Sequence, residues 1–558
     1  MNPAFRLLLL TLFIVPLALY TGTKDHFLIK ETLTLVLLLP ALGFFLAAVI
    51  EKKIKPAVNP ALIGIAIFLA AELGSVFNAK FPGLAIYTLL LHLCLGFCFI
   101  FASGMNSDET KTILDTILVA GLITAAYGVF QHFGYDFFSW VSQYDNRPAS
   151  SFGNPNFFAG YLIILLPLAI AMVLQSAGLR KISWLALVFL LIACLIFNRT
   201  RGAWIACAVS LVFMAALLAI KNKKALLIAG TICLLLCGFF ALNKIAGYRQ
   251  AALSSQPPAV AERLFKWRTA LEMIKQHPFI GVGAGNLKVN FALYQSITRE
   301  KTGFGLRGTS ESNVHNEFLQ VFAETGALGL SGFLLIFACY FLTLKNPDKL
   351  NTGIAAGVLA FLVFCLTNFP FRIMPTAVTL LTLMGISAQS ARSVKKTEPK
   401  LQKRGNFLIR LAVFFACVFT IYQFALIPFT ADIYRKAGDD AVKTADYLKA
   451  AVDVQKAAYY YEKSISLDKA RSEKSAFDLG ELYRKTGRID DAIRAYQVSV
   501  GVRNYGEVYN CLGNCYYMKN DFALAAKNWQ IALKLGLPRH EDVELVERNL
   551  QIVKKKIE

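Results

Sequence analysis

The chain has 558 residues, of which 56% are hydrophobic, and its mean hydropathy is +0.51. Soluble domains have an apolar share of roughly 45 to 50%, so the composition excludes an ordinary soluble enzyme and indicates an integral membrane protein. The net charge of +22 is compatible with nucleic-acid binding, but many basic residues flank hydrophobic runs, which fits membrane topology better. We therefore expect membrane lipid as a partner and no nucleic acid.

About 13 hydrophobic runs are long enough to cross a hydrocarbon layer of roughly 30 Å, which takes about 20 helical residues. They lie near residues 5–22, 30–50, 60–79, 83–103, 112–133, 156–176, 182–198, 202–220, 224–245, 320–344, 351–369, 373–391 and 406–428. The first run follows Arg6 and lacks a clear small-residue cleavage site, so we interpret it as a retained helix. The sequence thus predicts an all-α, polytopic membrane helix bundle over residues 1–429.

The distribution of basic residues orients this bundle, because Lys and Arg are retained on the cytoplasmic side. With a cytoplasmic N-terminus, the inner segments hold about 18 basic residues and the short outer loops about 7. The runs 221–224 and 392–405 dominate that difference. The prediction places the turn around residues 199–201, a large loop over about 246–317 and the segment 430–558 outside.

The segment after residue 429 is charged and helical in character. Two repeats, at 473–505 and 506–538, share a Leu-Gly-x-x-Tyr motif followed by alanine and an aromatic residue, and a degenerate repeat precedes them. The pattern resembles the tetratricopeptide repeat, in which small residues let two antiparallel helices touch. We predict a soluble α-helical tetratricopeptide repeat domain over 430–558 that serves as a protein-binding scaffold.

Four motifs surround the predicted outer loop. They are Arg147 to Asn156 (RPASSFGNPN), Asn198 to Ala203 (NRTRGA), Arg263 through Gly281 to Asn286 (GVGAGN), and His315 to Leu319 (HNEFL) with Glu324 to Gly329 (ETGALG). In this order they resemble the O-antigen ligase and polymerase superfamily of bacterial membrane glycan transferases. The resemblance implies a GT-C-like bundle in the bacterial cytoplasmic (inner) membrane, an undecaprenyl-pyrophosphate-linked glycan donor and no cofactor.

Arg199 and Arg201 flank a short outer turn, where basic residues are otherwise scarce. They can be interfacial anchors, but two guanidiniums near a helix start also suit a pyrophosphate, which Arg binds in a bidentate manner. The Arg-Gly-Ala motif of the resemblance falls on Arg201. We therefore predict that Arg201 and, secondarily, Arg199 bind the substrate pyrophosphate.

The outer loop contains an amphipathic pattern over 261–276. Its apolar positions are Leu264, Trp267, Leu271 and Ile274, and its polar face carries Arg263, Lys266, Arg268 and Lys275. The pattern predicts a helix lying on the membrane surface. Arg263 falls on the second arginine of the resemblance, which implies a role in pyrophosphate binding. The glycines at 281, 283 and 285 lack the lysine and serine of a nucleotide-binding loop, so we interpret them as a structural turn.

His315 is the predicted catalytic residue. It is expected to open a helix capped by Ser312 and Asn313, and a helix N-terminus disfavours the imidazolium and keeps the ring neutral. A neutral imidazole can accept a proton, and the resemblance implies that this histidine activates or orients the acceptor hydroxyl. Asn316, a helix cap or a sugar contact, and Glu324, an ionisable group near the membrane, are secondary candidates.

No cluster of His, Cys and carboxylates has metal-ligand spacing, so the sequence predicts no metal site. The glycosyltransferase that the resemblance implies is therefore expected to be metal-independent, and a single displacement would make it inverting. Three acceptors stay open. Lipid A core would make the enzyme an O-antigen ligase, a glycan chain a polymerase, and a protein an O-oligosaccharyltransferase. The alternative from a different class is a non-catalytic transporter or membrane scaffold that displays the repeats.

Overall fold

The computed structural model describes residues 2–51, 56, 58–138, 146–219, 259–302, 313–344, 347–389, 407–444, 450–537 and 539–557. Regular secondary structure in these residues is helical throughout. The helices of the membrane part are α1 (Pro3–Leu17), α2 (Leu28–Ile50), α3 (Ala61–Ser75), α4 (Pro82–Ala102), α5 (Ser107–His132), α6 (Pro155–Gln175), α7 (Gly178–Asn198), α8 (Arg201–Ala219), α9 (Ala259–Gln276), α10 (Leu287–Thr302), α11 (Glu317–Thr343), α12 (Lys349–Cys365), α13 (Met374–Gln389) and α14 (Phe407–Ile421).

The C-terminal part continues from α14 through a π-helical turn at Tyr422–Leu426. Its helices are α15 (Ile427–Thr444), α16 (Ala450–Leu467), α17 (Glu473–Lys485), α18 (Ile489–Val502), α19 (Gly506–Met518), α20 (Phe522–Leu535) and α21 (His540–Ile557). The last membrane helix therefore runs directly into the C-terminal helices.

Nine helices within the described ranges are long and apolar enough to cross a membrane. They are α2 to α8, α11 and the continuous helix Phe407–Lys443. The described part of the chain is therefore all-helical, and its apolar helices indicate a multi-pass membrane protein. The predicted span 5–22 is shorter than expected because α1 ends at Leu17, after which Ala18 leaves helical geometry. The predicted span 224–245 lies outside the described residues, and the count of 13 stays a prediction.

Small residues let α3 and α11 approach closely at the centre of the bundle. A Cβ atom on Gly64 would lie 2.5 Å from the backbone nitrogen of Ile336, and one on Gly332 would lie 2.5 Å from that of Phe68. Close backbone contact of this kind is typical of membrane helix interfaces, where dispersion rather than water exclusion drives packing. The contact fixes α11, the helix that follows His315.

The C-terminal helices dock against one end of the bundle. The backbone N–H of Asp25 donates to Asp432 at 2.8 Å, Lys80 donates to the carbonyl of Val502 at 3.2 Å, and Arg299 donates to the carbonyl of Leu535 at 3.1 Å. The α1–α2 turn, the α3–α4 turn and α10 thus share one side with the C-terminal helices. The basic-residue rule assigns all of them to the outer side, and that absolute orientation stays a prediction.

Each of the two sequence repeats coincides with a pair of helices, α17 with α18 and α19 with α20. A Cβ on Gly480 would lie 2.5 Å from the ring of Tyr496, and one on Gly513 would lie 2.4 Å from the ring of Trp529. The glycine therefore admits the aromatic ring of the second helix in both pairs. Assignment of these pairs to the tetratricopeptide family stays a prediction.

Candidate functional site

The turn between α7 and α8 presents two arginines at one end of the bundle. Arg199 adopts a left-handed backbone conformation with φ of 55°, and Arg201 is the first residue of α8. Both side chains are exposed, and neither forms an ion pair with any residue that the structure describes. Unpaired guanidiniums beside a helix N-terminus can bind an anion, because the helix dipole and the N–H donors act in the same direction.

Buried hydrogen bonds fix this turn. The amide of Asn198 is fully buried and donates to the carbonyls of Pro148 and Pro155, at 2.9 and 2.8 Å. Arg147 donates from Nε to the carbonyl of Asn198 at 2.8 Å and from Nη2 to the hydroxyl of Thr200 at 3.2 Å. The first two sequence motifs therefore form one folded unit that holds the exposed arginines in place.

His315 occupies the turn before α11. Its φ of 56° is positive, a conformation that non-glycine residues rarely adopt and that recurs at functional sites. The ring is half-buried and meets Phe369 edge to face, with centroids 5.3 Å apart. Its Nδ1 atom is buried without a hydrogen-bond partner in the described chain. Within the described ranges, the backbone and one aromatic contact thus position the imidazole, and no carboxylate forms a hydrogen bond with it.

The electrostatic surroundings of His315 favour the neutral ring. Its pKa falls from the ordinary 6.5 to about 4, mainly because of burial and then because of the positive charges of Lys266 and Arg263. The ring is therefore unprotonated near neutral pH and able to accept a proton. The lowered pKa of His315 agrees with the sequence-based expectation of a neutral ring. Its principal causes are burial and two cations, whereas the sequence-based argument relied on the helix N-terminus.

Arg263 and Lys266 lie on the same helix but differ in exposure and in ion pairing. Lys266 is only 3% exposed and pairs with Glu262, with 2.6 Å between Nζ and Oε1. Arg263 is half-buried and has no ion pair within the described residues, and burial lowers the pKa of its guanidinium. Arg263 is thus the cation of α9 that is free to meet an anion near His315.

The turn 366–369 contacts both segments that carry candidate site residues, the His315 segment and the start of α8. Asn316 donates to the first carbonyl of that turn at 3.2 Å, and His315 packs on its last residue. On its other side, a Cβ on Gly202 would lie 2.7 Å from a hydroxyl oxygen of the same turn. The start of α8, next to Arg201, and the His315 segment therefore flank one short piece of chain.

The cap of α11 differs from the prediction. The helix begins at Glu317, and the side chain of Asn316 caps it by accepting the N–H of Leu319 at 3.0 Å. Asn313 instead accepts a hydrogen bond from Gln320 at 3.1 Å, and Ser312 lies outside the described residues. The prediction that His315 opens the helix is wrong, because its positive φ is incompatible with helical geometry. Asn316 takes the capping role.

The buried face of α9 agrees only in part with the predicted one. Ile274 is buried and Trp267 packs against the same core, as predicted. Leu264 is 47% exposed and Leu271 is 43% exposed, whereas Phe265, Ala270 and Met273 are buried. The reason is that α9 packs into a core with α10 and α11 rather than lying alone on a surface. Packing against two helices buries the residues that face those helices. These residues are not all part of the most hydrophobic stripe of the sequence pattern.

Glu324 belongs to a buried charge cluster and not to the His315 turn. Its Oε2 pairs with Arg372 Nη2 at 3.0 Å, and its Oε1 accepts a hydrogen bond from Gln320 at 3.3 Å. Arg372 also approaches Glu317, with 3.2 Å between Nε and Oε1. The sequence singled out Glu324 but assigned no role to Arg372, because nothing local indicates a pair 48 positions apart.

The glycine-rich segment is a structural turn, as the sequence predicts. Gly281, Gly283 and Gly285 have φ of 72°, 100° and 66°, which side-chain-bearing residues rarely adopt. The N–H of Gly283 donates to the carbonyl of Glu324 at 2.9 Å, and that of Gly285 donates to its carboxylate at 2.9 Å. These N–H groups are thus used within the protein and do not form a phosphate cradle.

Sequence reasoning missed a histidine and carboxylate pair within the bundle. Nδ1 of His92 lies 2.5 Å from Oε1 of Glu72, and both residues are buried. The His92 ring packs between Phe68 and Phe371. Each residue alone resembles an ordinary polar residue in a membrane span, and the pair arises only when α3 and α4 pack together.

Two comparisons with known proteins bear on this site. Residues 186–334 match a family model described as O-Antigen ligase. The match begins in α7 and ends in α11, so it includes Arg199, Arg201, Arg263 and His315.

The chain is also similar to the ComP-specific O-oligosaccharyltransferase of Acinetobacter baylyi (strain ATCC 33305 / BD413 / ADP1), with 25% identity over 305 residues. The alignment covers 51% of this chain and 52% of the relative, so the chain spans about half the length of the curated relative that it matches. Both matches support the superfamily resemblance read from the motifs and glycan transfer as the general class of activity.

Proposed function

We propose that the chain transfers a glycan from an undecaprenyl pyrophosphate carrier to an acceptor on the outer face of the cytoplasmic membrane. The observation that carries the proposal is a neutral histidine, His315, across a short turn from Arg201 and within electrostatic reach of Arg263, which has no ion pair among the described residues. A polyprenyl pyrophosphate brings two or more negative charges to the membrane surface. Arginines bind such a group with bidentate, charge-assisted hydrogen bonds.

The proposed reaction is a single displacement without a metal. His315 accepts the proton of the acceptor hydroxyl as the acceptor oxygen bonds to the anomeric carbon of the glycan. The bond from that carbon to the pyrophosphate oxygen breaks, and the pyrophosphate leaves with the bonding electron pair. Arg201, Arg263 and Arg199 stabilise the charge that grows on it. Attack opposite the leaving group inverts the anomeric carbon.

The name of the relative supports a protein as the acceptor, whereas the matched family model is described as O-Antigen ligase. The relative is by name an O-oligosaccharyltransferase specific for ComP. A repeat scaffold, which we propose for the helix pairs after residue 472, typically binds proteins. We propose a protein O-oligosaccharyltransferase as the first candidate within this class. O-antigen ligase and polymerase activities use the same donor and the same pyrophosphate site.

Deletion of the gene tests the proposal in cells. We expect the lipid-linked glycan to accumulate and one class of glycoconjugate to disappear, and both changes to reverse with a plasmid copy. Mass spectrometry of envelope proteins and of lipopolysaccharide separates a protein acceptor from lipid A core. An unchanged donor pool together with unchanged glycoconjugates would contradict the proposal and favour a non-catalytic transporter or scaffold.

A further inference from the structure

A large chamber lies between the membrane bundle and the C-terminal helices. Its volume is about 460 Å³, within the range of about 300–1,000 Å³ typical of small-molecule sites. One wall comes from α2, α4, α10, α11 and the turn before α13, and the other from α15, α16, α17 and the end of α18. The sequence assigned the C-terminal helices a scaffold role only, whereas here they form one wall of this chamber.

Specific contacts hold the two walls together. Lys24 pairs with Asp439, and the guanidinium of Arg471 lies over the ring of Tyr87 with 4.3 Å to the ring centroid. Arg471 is fixed in turn by Asp468, with 2.7 Å between Nη1 and Oδ2. An arginine that stacks on an aromatic ring and bonds a carboxylate has little freedom to move. The chamber is therefore built by docking of the C-terminal helices.

The lining combines charges of both signs with aromatic rings. It includes six basic and six acidic side chains, a balance that disfavours both an apolar ligand and a polyanion. Four aromatic residues, Phe27, Tyr87, Phe157 and Phe369, also line it. Vicinal hydroxyls of a sugar both donate and accept hydrogen bonds, and the apolar faces of sugar rings pack on aromatic rings. Charged partners strengthen such hydrogen bonds.

Two lysines on opposite walls are available to a ligand. Lys288 on α10 and Lys474 on α17 line the chamber, and neither has an ion-pair partner among the described residues. Burial and the neighbouring charges of Arg435 and Arg503 lower the pKa of Lys474. Lys288 lies within electrostatic range of Glu31, and Lys474 of Glu473 and Asp478, but neither lysine forms a close ion pair among the described residues. Both ammonium groups can therefore donate hydrogen bonds to a bound molecule.

The chamber adjoins the candidate catalytic turn through one residue. Phe369 lines the chamber, and its ring also packs against that of His315. Phe369 thus contacts both the chamber and the imidazole. Neither His315 nor the arginines at 199, 201 and 263 line the chamber themselves, which separates a saccharide compartment from a pyrophosphate compartment.

We propose that this chamber binds the saccharide of the glycan donor, and that Lys288 and Lys474 hydrogen-bond its hydroxyl groups from opposite walls. The inference rests on the proposed glycan transfer and adds a second role for the C-terminal helices. They are part of the donor site, in addition to any partner that they bind.

The test uses the full-length protein in lipid nanodiscs. The probe is the labelled oligosaccharide released by mild acid from the lipid-linked glycan of the source cells, so it has neither lipid nor pyrophosphate. We expect Lys474→Ala and Lys288→Ala each to raise its Kd by about tenfold or more, as for loss of one charge-assisted hydrogen bond. Lys474→Arg should recover most of the affinity.

The matched control is Lys463→Ala, which removes an exposed lysine of α16 that does not line the chamber. It should bind as wild type. Binding of both chamber variants within twofold of wild type, or no saturable binding by wild type, overturns the inference. His315→Ala should keep saccharide binding while losing transfer. If the wild-type protein transfers glycan but neither lysine variant changes saccharide binding, the chamber proposal is wrong and the proposed function stands. If the protein binds the saccharide but transfers no glycan, the proposed function is wrong and the chamber proposal stands.

Discussion

The imidazole of His315 meets the ring of Phe369 at 68° between planes and 5.3 Å between centroids. Phe369 is only 6% exposed and belongs to the main core of the bundle, so the histidine rests on a rigid surface. The contact removes water from one side of the imidazole. It thereby contributes to the burial that lowers the pKa of His315 to about 4.

The pH dependence of transfer follows from this pKa. A base acts when unprotonated, so we expect turnover to be flat from about pH 6 to 8 and to fall on acidification with an apparent pKa near 4. Arg263→Ala removes a positive charge that opposes protonation, so it should move the acidic limb to higher pH. Initial rates of the reconstituted enzyme across pH measure both effects. An acidic limb at or above the ordinary pKa of 6.5 in wild type would contradict this assignment.

If Arg201 binds pyrophosphate through its planar guanidinium, its positive charge alone is insufficient for full activity. Arg201→Lys keeps the positive charge but loses the planar pair of donors that matches phosphate oxygens. We expect the lysine variant to retain a minor fraction of the wild-type kcat/KM, with Arg201→Ala lower still. Steady-state rates with purified lipid-linked donor give the comparison. An interfacial anchor would tolerate lysine, so near-wild-type activity of Arg201→Lys would count against pyrophosphate binding.

The buried pair of Arg372 and Glu324 lies on the wall of the chamber, and because it is an ion pair within the bundle we expect its loss to act first on stability. Glu324→Ala leaves a buried guanidinium with one fewer carboxylate, and such losses cost about 3–5 kcal/mol. We expect reduced levels of folded protein and a lower Tm, measured by thermal unfolding in detergent. The control is Arg180→Ala, which breaks the exposed pair with Asp115 and should cost about 1 kcal/mol or less. A Glu324 variant with normal Tm but no turnover would instead give this carboxylate a direct role.

The orientation of the bundle can be tested with reporter fusions. We expect residues 221–224 and 392–405 in the cytoplasm, and the C-terminal helices outside, because of the basic-residue distribution. A periplasmic phosphatase joined after Glu558 should therefore be active. Activity of a cytoplasmic reporter at that position, with an inactive phosphatase, would reverse the orientation and remove the outer-face site with it.

Much of the fold follows from periodicity and length. Hydrophobic runs indicated α2 to α8 and α11 within a few residues, because a span must satisfy its own backbone in lipid. The helix pairs after residue 472 follow from the spacing of Gly480 and Tyr496. The exposed face of α9 does not follow, because Leu264 and Phe265 differ in what packs against them rather than in hydrophobicity.

Part of the candidate site could also be predicted from the sequence. The motifs around Arg201 and His315 are local, and each coincides with a defined turn of the structure. The pairing of Glu324 with Arg372 and the chamber beneath the C-terminal helices depend on contacts between distant segments. No local sequence pattern predicts which buried charges form pairs, or that the guanidinium of Arg471 stacks on the ring of Tyr87.

The turnover of His315→Ala in reconstituted membranes tests the central claim most directly. The variant is compared with wild type and with His540→Ala, which removes an exposed histidine of the C-terminal helices. Loss of a general base predicts a decrease of about 10² to 10⁴ in turnover with donor binding largely kept, while His540→Ala stays at the wild-type rate. Near-normal turnover of His315→Ala, at equal expression and equal Tm, would contradict the claim and leave His315 as a turn residue packed on Phe369.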